Sequence, residues 1–243
     1  MKPKPMVEIG GKPLLWHIMR YYACFGHRDF VVALGYKGDY IRRYATDFAA
    51  LGGGHLSIDY DRREVRRMDG GADAWPMDGW TVELRETGLH TNTGGRIKRL
   101  QETIGRNRFM LTWGDGVSDV DLHALLAFHR AHGRLLTMTA VRPPPRFGHL
   151  ALDGDRIVGF QEKPKDAEGW INGAFFVCEP EVFDTIEGDA TQFEREPLET
   201  LAREGQLMAY RHHGFWQCMD TVRDRQTLET LWEKGSAPWK IWT

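Results

Sequence analysis

Phe109-Met110-Leu111-Thr112-Trp113-Gly114-Asp115-Gly116 is the stretch that decides the fold. Its first five residues are apolar or β-prone, and a run of that length closed by glycine reads as a short buried strand. The strand delivers Asp115 into a glycine-flanked turn. In an open α/β sheet the carboxyl ends of the strands are where ligands bind, and flanking glycines let a bulky ligand or a metal approach the backbone. An aspartate that simply caps a turn is the competing reading of the same residues.

Outward from this stretch, strand and helix patterns alternate, as in a mostly parallel sheet with helices on both faces. Leu14, Leu15, Ile18, Met19 and Tyr22 recur at helical spacing between Pro13 and Phe25, and Gly26 ends the run. Asp29 to Leu34 reads as a buried strand, which Gly35-Tyr36-Lys37-Gly38 turns into a helix from about Asp39 to Ala50. Leu56 to Tyr60 and Trp80 to Glu86 are expected strands, and Gly94 to Ile104 an expected helix. Asp121 is a good N-cap for a helix ending at Gly133, and Leu135 to Val141 is the next strand. Beyond Pro143-Pro144-Pro145 come shorter strands around Phe147 to Leu152, Ile157 to Gln161 and Ile171 to Cys178. Helices are expected near Pro180 to Ile186, Arg195 to Glu204 and Val222 to Trp232. The organisation is one domain over 1–243, with a sheet core over about 1–142 and a small C-terminal β/α part over about 143–243. The prolines are at most a subdomain hinge.

Composition narrows the function. The 243 residues are 42% hydrophobic and 27% charged, which suits a globular chain with a sizeable core. Lys and Arg number 32 against 34 Asp and Glu and form no stripe, so neither nucleic acid nor a membrane surface is indicated, whereas a small anionic ligand is compatible. Cys24, Cys178 and Cys218 are odd in number and far apart, which argues against a disulfide framework or a CxxC metal site and fits a reducing cytoplasm. No apolar run has the length of a bilayer span, and no charged-then-apolar leader opens the chain.

Three further stretches carry chemistry-bearing residues, each with an ordinary alternative. Phe160-Gln161-Glu162-Lys163-Pro164 sets an acid and a base side by side at a strand end, where adjacent side chains point to opposite faces; a solvated charge pair would look the same. Ile171-Asn172-Gly173 offers an amide beside a glycine, and turn chemistry accounts for it equally well. Phe215-Trp216-Gln217-Cys218-Met219-Asp220-Thr221 places Asp220 ahead of a helix, where N-capping would explain it.

Order and wording together are more specific. PKPMVEIGGKPLLWHI (3–18), GYKGDYI (35–41), TGGRIKR (93–99), TWGDGVSDVD (112–121), FQEKPK (160–165), INGAFFV (171–177) and FWQCMDTVRD (215–224) resemble the sugar-1-phosphate nucleotidylyltransferases, most closely those that transfer a cytidylyl group to glucose 1-phosphate. The resemblance spans essentially the whole chain. It implies a Rossmann-like nucleotidyltransferase fold and a reaction of CTP with α-D-glucose 1-phosphate that yields CDP-glucose and pyrophosphate for polysaccharide biosynthesis. It implies residue roles as well. Lys4 meets the phosphates, and Asp115 and Asp220 hold Mg²⁺, as hard oxygen ligands suit a hard cation. Lys163 binds the sugar phosphate, while Glu162 and Asn172, with Gly173 beside it, contact sugar hydroxyls. Arg96 lies beside the nucleotide, and Gly95 permits close approach to it. A homo-oligomer is suggested by the resemblance alone. Trp232, Trp239 and Trp242 are expected either at an oligomer contact or against the subunit's own core.

Such a reaction brings two anions together in line, so cations and positioning supply the catalysis and no covalent protein nucleophile is required. The histidines then need no catalytic role, and Cys218, which stands where relatives usually carry proline, is no sign of thiol chemistry. A UTP- or dTTP-using transferase and a non-catalytic paralogue are the alternatives. Members of the family open with a strand and a GGxGTRL-type loop whose N–H groups cradle the nucleotide phosphates. Met1-Lys2-Pro3-Lys4-Pro5 reads instead as mid-domain. The expectation is that the true chain extends upstream through a miscalled start, with genuine truncation as the competing account, and that the chain as written is a poor enzyme.

Overall fold

The computed structural model of the protein describes residues 2–51, 56–62, 64–67, 79–143, 149–153, 156–161 and 169–242. In the first half the strands are β1 Glu8–Ile9, β2 Lys12–Pro13, β3 Asp29–Leu34, β4 Leu56–Asp59, β5 Glu64–Arg67, β6 Thr81–Glu86, β7 Phe109–Thr112 and β8 Gly116–Ser118. Then come β9 Leu136–Val141, β10 His149–Asp153, β11 Arg156–Gln161, β12 Ile171–Cys178, β13 Leu207–Arg211 and β14 Trp216–Cys218. The helices are α1 Leu14–Cys24, α2 Gly38–Leu51, α3 Thr93–Arg99, α4 Gln101–Ile104, α5 Leu122–His132, α6 Glu196–Arg203 and α7 Val222–Glu233.

The largest sheet has the order β13-β9-β12-β7. β13 runs parallel to β9, and β12 runs antiparallel to both β9 and β7. Three of its four strands therefore point one way, with β12 reversed between them. β3 and β6 form a parallel pair of their own, in register from Asp29↔Thr81 to Leu34↔Glu86. Because β12 and β13 follow the prolines yet pair with β7 and β9, one sheet spans the boundary expected near residue 142.

β12 shows why helices cover both faces. Successive strand residues point to opposite sides, and its alternating residues enter two different cores. Phe175 and Val177 pack with Leu14, Ile18 and Tyr22 of α1, Leu125 of α5 and Leu228 of α7. Phe176 and Cys178 pack with Ile97 of α3, Phe183 of the 3-10 turn Pro180–Thr185, and Leu201 of α6. A strand buried on both faces reads as a continuous apolar run, as Ala174 to Cys178 does. Truncating fully buried Phe176 to alanine would cost about 3–5 kcal/mol.

Local signals explain the helix ends. Asp121 caps α5 by accepting from Ala124 N at 2.9 Å, and Gly133 closes it with φ 62°, a left-handed conformation that glycine adopts without a Cβ penalty. The helix expected over 94–104 is broken at Leu100 into α3 and α4. The segment expected as a helix near 180–186 is a 3-10 turn. Strands β1, β2, β5, β8, β13 and β14 were not legible in the sequence. Among the described residues no helix is long and apolar enough to cross a membrane.

Candidate active site

Asp115 leaves the carboxyl end of β7 immediately before β8. β8 pairs antiparallel with β14, Gly116 opposite Cys218, and Met219 N extends the ladder by donating to Asp115 O at 2.7 Å. That pairing brings Asp115 and Asp220 to the same sheet end. Lys4 joins them, its Nζ 2.6 Å from Asp220 Oδ1 and 3.6 Å from Asp115 Oδ2. Burial pushes the Asp115 carboxyl above the usual carboxylate range, Lys4 opposes that shift, and the charge of Asp220 reinforces it. The hydrogen bond to Asp220 holds the Lys4 ammonium above its ordinary value against the cost of desolvation.

Each of the three side chains is placed by its neighbours in sequence. Pro3 and Pro5 restrict the backbone around Lys4, and the 3-10 turn Lys4–Met6 closes through Met6 N to Pro3 O at 2.9 Å and Val7 N to Lys4 O at 3.0 Å. Met6 is buried with Leu34 and Ile41. Pro5 lies over Gly114, where a Cβ would come 2.8 Å from Pro5 Cγ, so the first glycine of the GDG stretch makes room for the lysine turn. On the other side Thr221, not Asp220, caps α7. Its hydroxyl accepts from Asp224 N at 3.1 Å, while Asp224 Oδ2 accepts from Thr221 N at 2.9 Å and from Asp220 N at 3.2 Å. The Asp220 carboxylate is thereby released from capping and turns to Lys4.

Two hard carboxylates converging on one cationic group fit a divalent cation. Mg²⁺ commonly takes one or two protein carboxylates and completes its shell with water and substrate phosphate. Asp115 and Asp220 are the pair expected to hold it, and among the described residues no set of three or more His, Cys, Asp or Glu is gathered for a metal.

Arg96 and Gly95, the residues expected beside the nucleotide, behave differently. Arg96 Nη1 donates to Leu34 O at 3.2 Å, Thr87 Oγ1 at 2.7 Å and Gly88 O at 2.8 Å, tying the carboxyl ends of β3 and β6 together. A Cβ at Gly35 would stand 2.2 Å from that nitrogen. Since Met6 packs on Leu34 and Pro5 on Gly114, the ends of β3, β6 and β7 meet around the lysine turn. Gly95, expected to let the nucleotide approach, is packed against another segment of the chain. Its close approach is to the chain itself, with a Cβ there 2.5 Å from Asp189 Cα, and the N–H groups of Gly94 and Gly95 donate to Thr191 O at 3.0 and 3.3 Å. The first N–H groups of a helix need acceptors, and here the segment after Gly188 supplies one.

A family model of nucleotidyl transferases matches residues 1–224. Over 244 aligned residues, covering 100% of this chain and 92% of the relative, the sequence is 49% identical to glucose-1-phosphate cytidylyltransferase of Salmonella typhi. The chain belongs to the glucose-1-phosphate cytidylyltransferase family of nucleotidyl transferases. It is also 38% identical to the probable glucose-1-phosphate cytidylyltransferase of Bacillus subtilis (strain 168), over 99% of this chain and 92% of that one. In fold it is similar to HddC from Yersinia pseudotuberculosis, with a TM-score of 0.68 at 22% identity over 95% of this chain and 90% of that one. UDP-glucose pyrophosphorylase complexed with UDP-glucose gives 0.63 at 14% identity, over 96% and 91%.

Of the other site residues expected for this family of transferases, Glu162 and Lys163 lie outside the described residues. Asn172 sits at a register break in β12, where its Oδ1 accepts from Ala174 N at 2.8 Å and Ala174 has φ 60°. The amide carbonyl is thus spent partly on the chain's own turn. Gly173 is needed for packing, since a Cβ would lie 2.7 Å from Val141 Cγ1 and 2.9 Å from Thr139 O. Sequence reasoning missed a cluster at this end, where the guanidinium carbons of Arg142 and Arg211 lie 5.1 and 5.9 Å from the ring centre of Trp170. No local signal joins residues so far apart in the chain.

Proposed function

We propose that this protein transfers the cytidylyl group of CTP to α-D-glucose 1-phosphate, giving CDP-glucose and pyrophosphate. The convergence of Lys4, Asp115 and Asp220 at one sheet end, in a chain 49% identical to a glucose-1-phosphate cytidylyltransferase, carries this reading. A phosphate oxygen of the sugar forms a bond to the α-phosphorus while the bond from that phosphorus to the bridging oxygen breaks, and pyrophosphate departs with the electron pair. No proton has to come from the protein. What the protein must do is hold two polyanions in line.

Lys4, kept protonated by Asp220, puts a fixed positive charge where phosphoryl charge develops. Asp115 and Asp220 would hold Mg²⁺, which when bound neutralises phosphate charge as a Lewis acid. Lys163 is proposed to hold the sugar phosphate, and Glu162 and Asn172 to meet the sugar hydroxyls. Arg96 is proposed to shape the nucleotide side by fixing the turns after β3 and β6. Among the described residues Cys24, Cys178 and Cys218 form no disulfide, in keeping with the reducing cytoplasm proposed for this chain.

The test is pyrophosphate release from α-D-glucose 1-phosphate with CTP, UTP, dTTP or GTP and Mg²⁺. The expected result is a kcat/KM for CTP at least about tenfold above the others, a margin that base-specific hydrogen bonds can supply. A preference for UTP or dTTP would reassign the nucleotide, and a chain that neither releases pyrophosphate with any of the four nor binds α-D-glucose 1-phosphate would overturn the assignment.

A further inference from the structure

Helix α7 touches both halves of the Lys4–Asp220 contact. At its start Asp224 holds the backbone of Asp220 and Thr221. Further along, three residues spaced i, i+4 and i+7 lie on one face of the helix and grip the hairpin that follows Lys4. Arg225 Nε donates to Glu8 O at 3.4 Å, and Gly10 N donates to Glu229 Oε1 at 3.0 Å. Trp232 closes over Gly10 so tightly that a Cβ there would fall 1.9 Å from its Nε1, and the φ of +57° at Gly10 favours glycine on its own account. From the far side His17 Nε2 donates to Ile9 O at 2.8 Å, and its ring meets Trp232 edge-to-face at 4.8 Å.

We infer that α7 is a positioning element for the transfer reaction: Glu229 and Trp232 hold the Glu8–Pro13 hairpin so that Lys4 stays on Asp220, which the first turn of the same helix fixes. Val7 links hairpin to lysine, donating to Lys4 O at 3.0 Å and accepting from Leu14 N at 2.9 Å. The matched family model ends at Asp224, so the gripping face over 225–232 lies beyond it. The inference rests on the proposed function for the purpose of Lys4, but its test uses no substrate and is read independently of the nucleotide assay.

The experiment is competitive acylation of lysines with a limiting amine-reactive ester, scored by peptide mass spectrometry. Lys98, whose Nζ donates to Phe183 O at 2.8 Å, is the internal reference. In Glu229→Ala the Gly10 N–H loses its acceptor, and Lys4 should react roughly fivefold faster while Lys98 is unchanged, the scale of one lost hydrogen bond. Glu229→Gln keeps a side-chain oxygen acceptor and should restore most of the protection. Where Glu229→Ala fails to fold, both lysines speed up together and Trp232→Phe, which opens space beside Gly10, is measured in its place, with the same selective rise expected at Lys4. A folded variant in which Lys4 reacts at the wild-type rate overturns the inference, because the hairpin would then hold Lys4 without α7.

Discussion

Lys4 and Asp220 stand 216 positions apart in the chain, yet Lys4 Nζ meets Asp220 Oδ1 at 2.6 Å. Both side chains are about half exposed, so the pair contributes at most about 1 kcal/mol to stability. Its proposed importance is chemical. It closes a site whose third member, Asp115, reaches the same point through the pairing of β8 with β14.

Replacing Asp115 or Asp220 by asparagine should keep the fold and cut kcat by about 100-fold or more, because the charge that would fix Mg²⁺ is gone. Circular dichroism and steady-state kinetics over a Mg²⁺ titration check both halves. Near-normal turnover in either variant would remove that residue from the ligand set.

Asp115 also makes a stability prediction with a definite sign. Its carboxyl is raised by burial, so the folded state binds a proton more tightly than the unfolded chain does. Stability therefore falls as pH rises from the ordinary carboxylate range through the raised value. Asp115→Asn lacks that slope. Melting curves without Mg²⁺ between about pH 4 and 7 should show the variant gaining on the wild type as pH rises. Parallel curves would mean that Lys4 cancels the burial cost.

His17 works in the opposite direction. Burial pushes it down to about 4, so the fold requires the neutral ring. Its contribution is intact above the ordinary histidine value and is lost as pH falls from there through about 4, for a full loss of about 3 kcal/mol. Urea unfolding of wild type and His17→Gln at about pH 7 and pH 4.5 should show the smaller drop in the variant. An equal drop in both would assign the acid sensitivity to other groups.

Gly95→Ala should lower stability, not nucleotide affinity alone. Its Cβ would meet the Asp189 backbone at 2.5 Å, where no side chain can swing away. A cost of about 1–3 kcal/mol follows, or about 3–10 °C in Tm. Gly169→Ala is the control, since among the described residues nothing lies within 4 Å of its Cβ position. An unchanged Tm with a raised KM for CTP would favour the nucleotide-approach reading of Gly95 over the packing one.

Much of the architecture is written locally. The helical spacing of α1, the apolar runs of β3 and β12, and the Asp121 and Gly133 caps of α5 are each set within a few residues, and the structure has them where the pattern puts them. Order and wording of the motifs were enough to place the chain in its family. Three-residue β8 and β14 carry no readable period. They exist because pairing Gly116 with Cys218 satisfies backbone groups that neither segment can satisfy alone.

The site divides along the same line. Sequence by itself determined which residue types are present: a lysine between prolines, a carboxylate after β7 and another before α7. Only the tertiary structure decided where their side chains point. Thr221 took the cap and left Asp220 for Lys4, Arg96 turned inward onto Leu34, Thr87 and Gly88, and Gly95 closed on Asp189. A donor or carboxylate can be satisfied by any partner within about 3 Å. Which partner arrives depends on contacts made across some two hundred positions, and no local pattern encodes them.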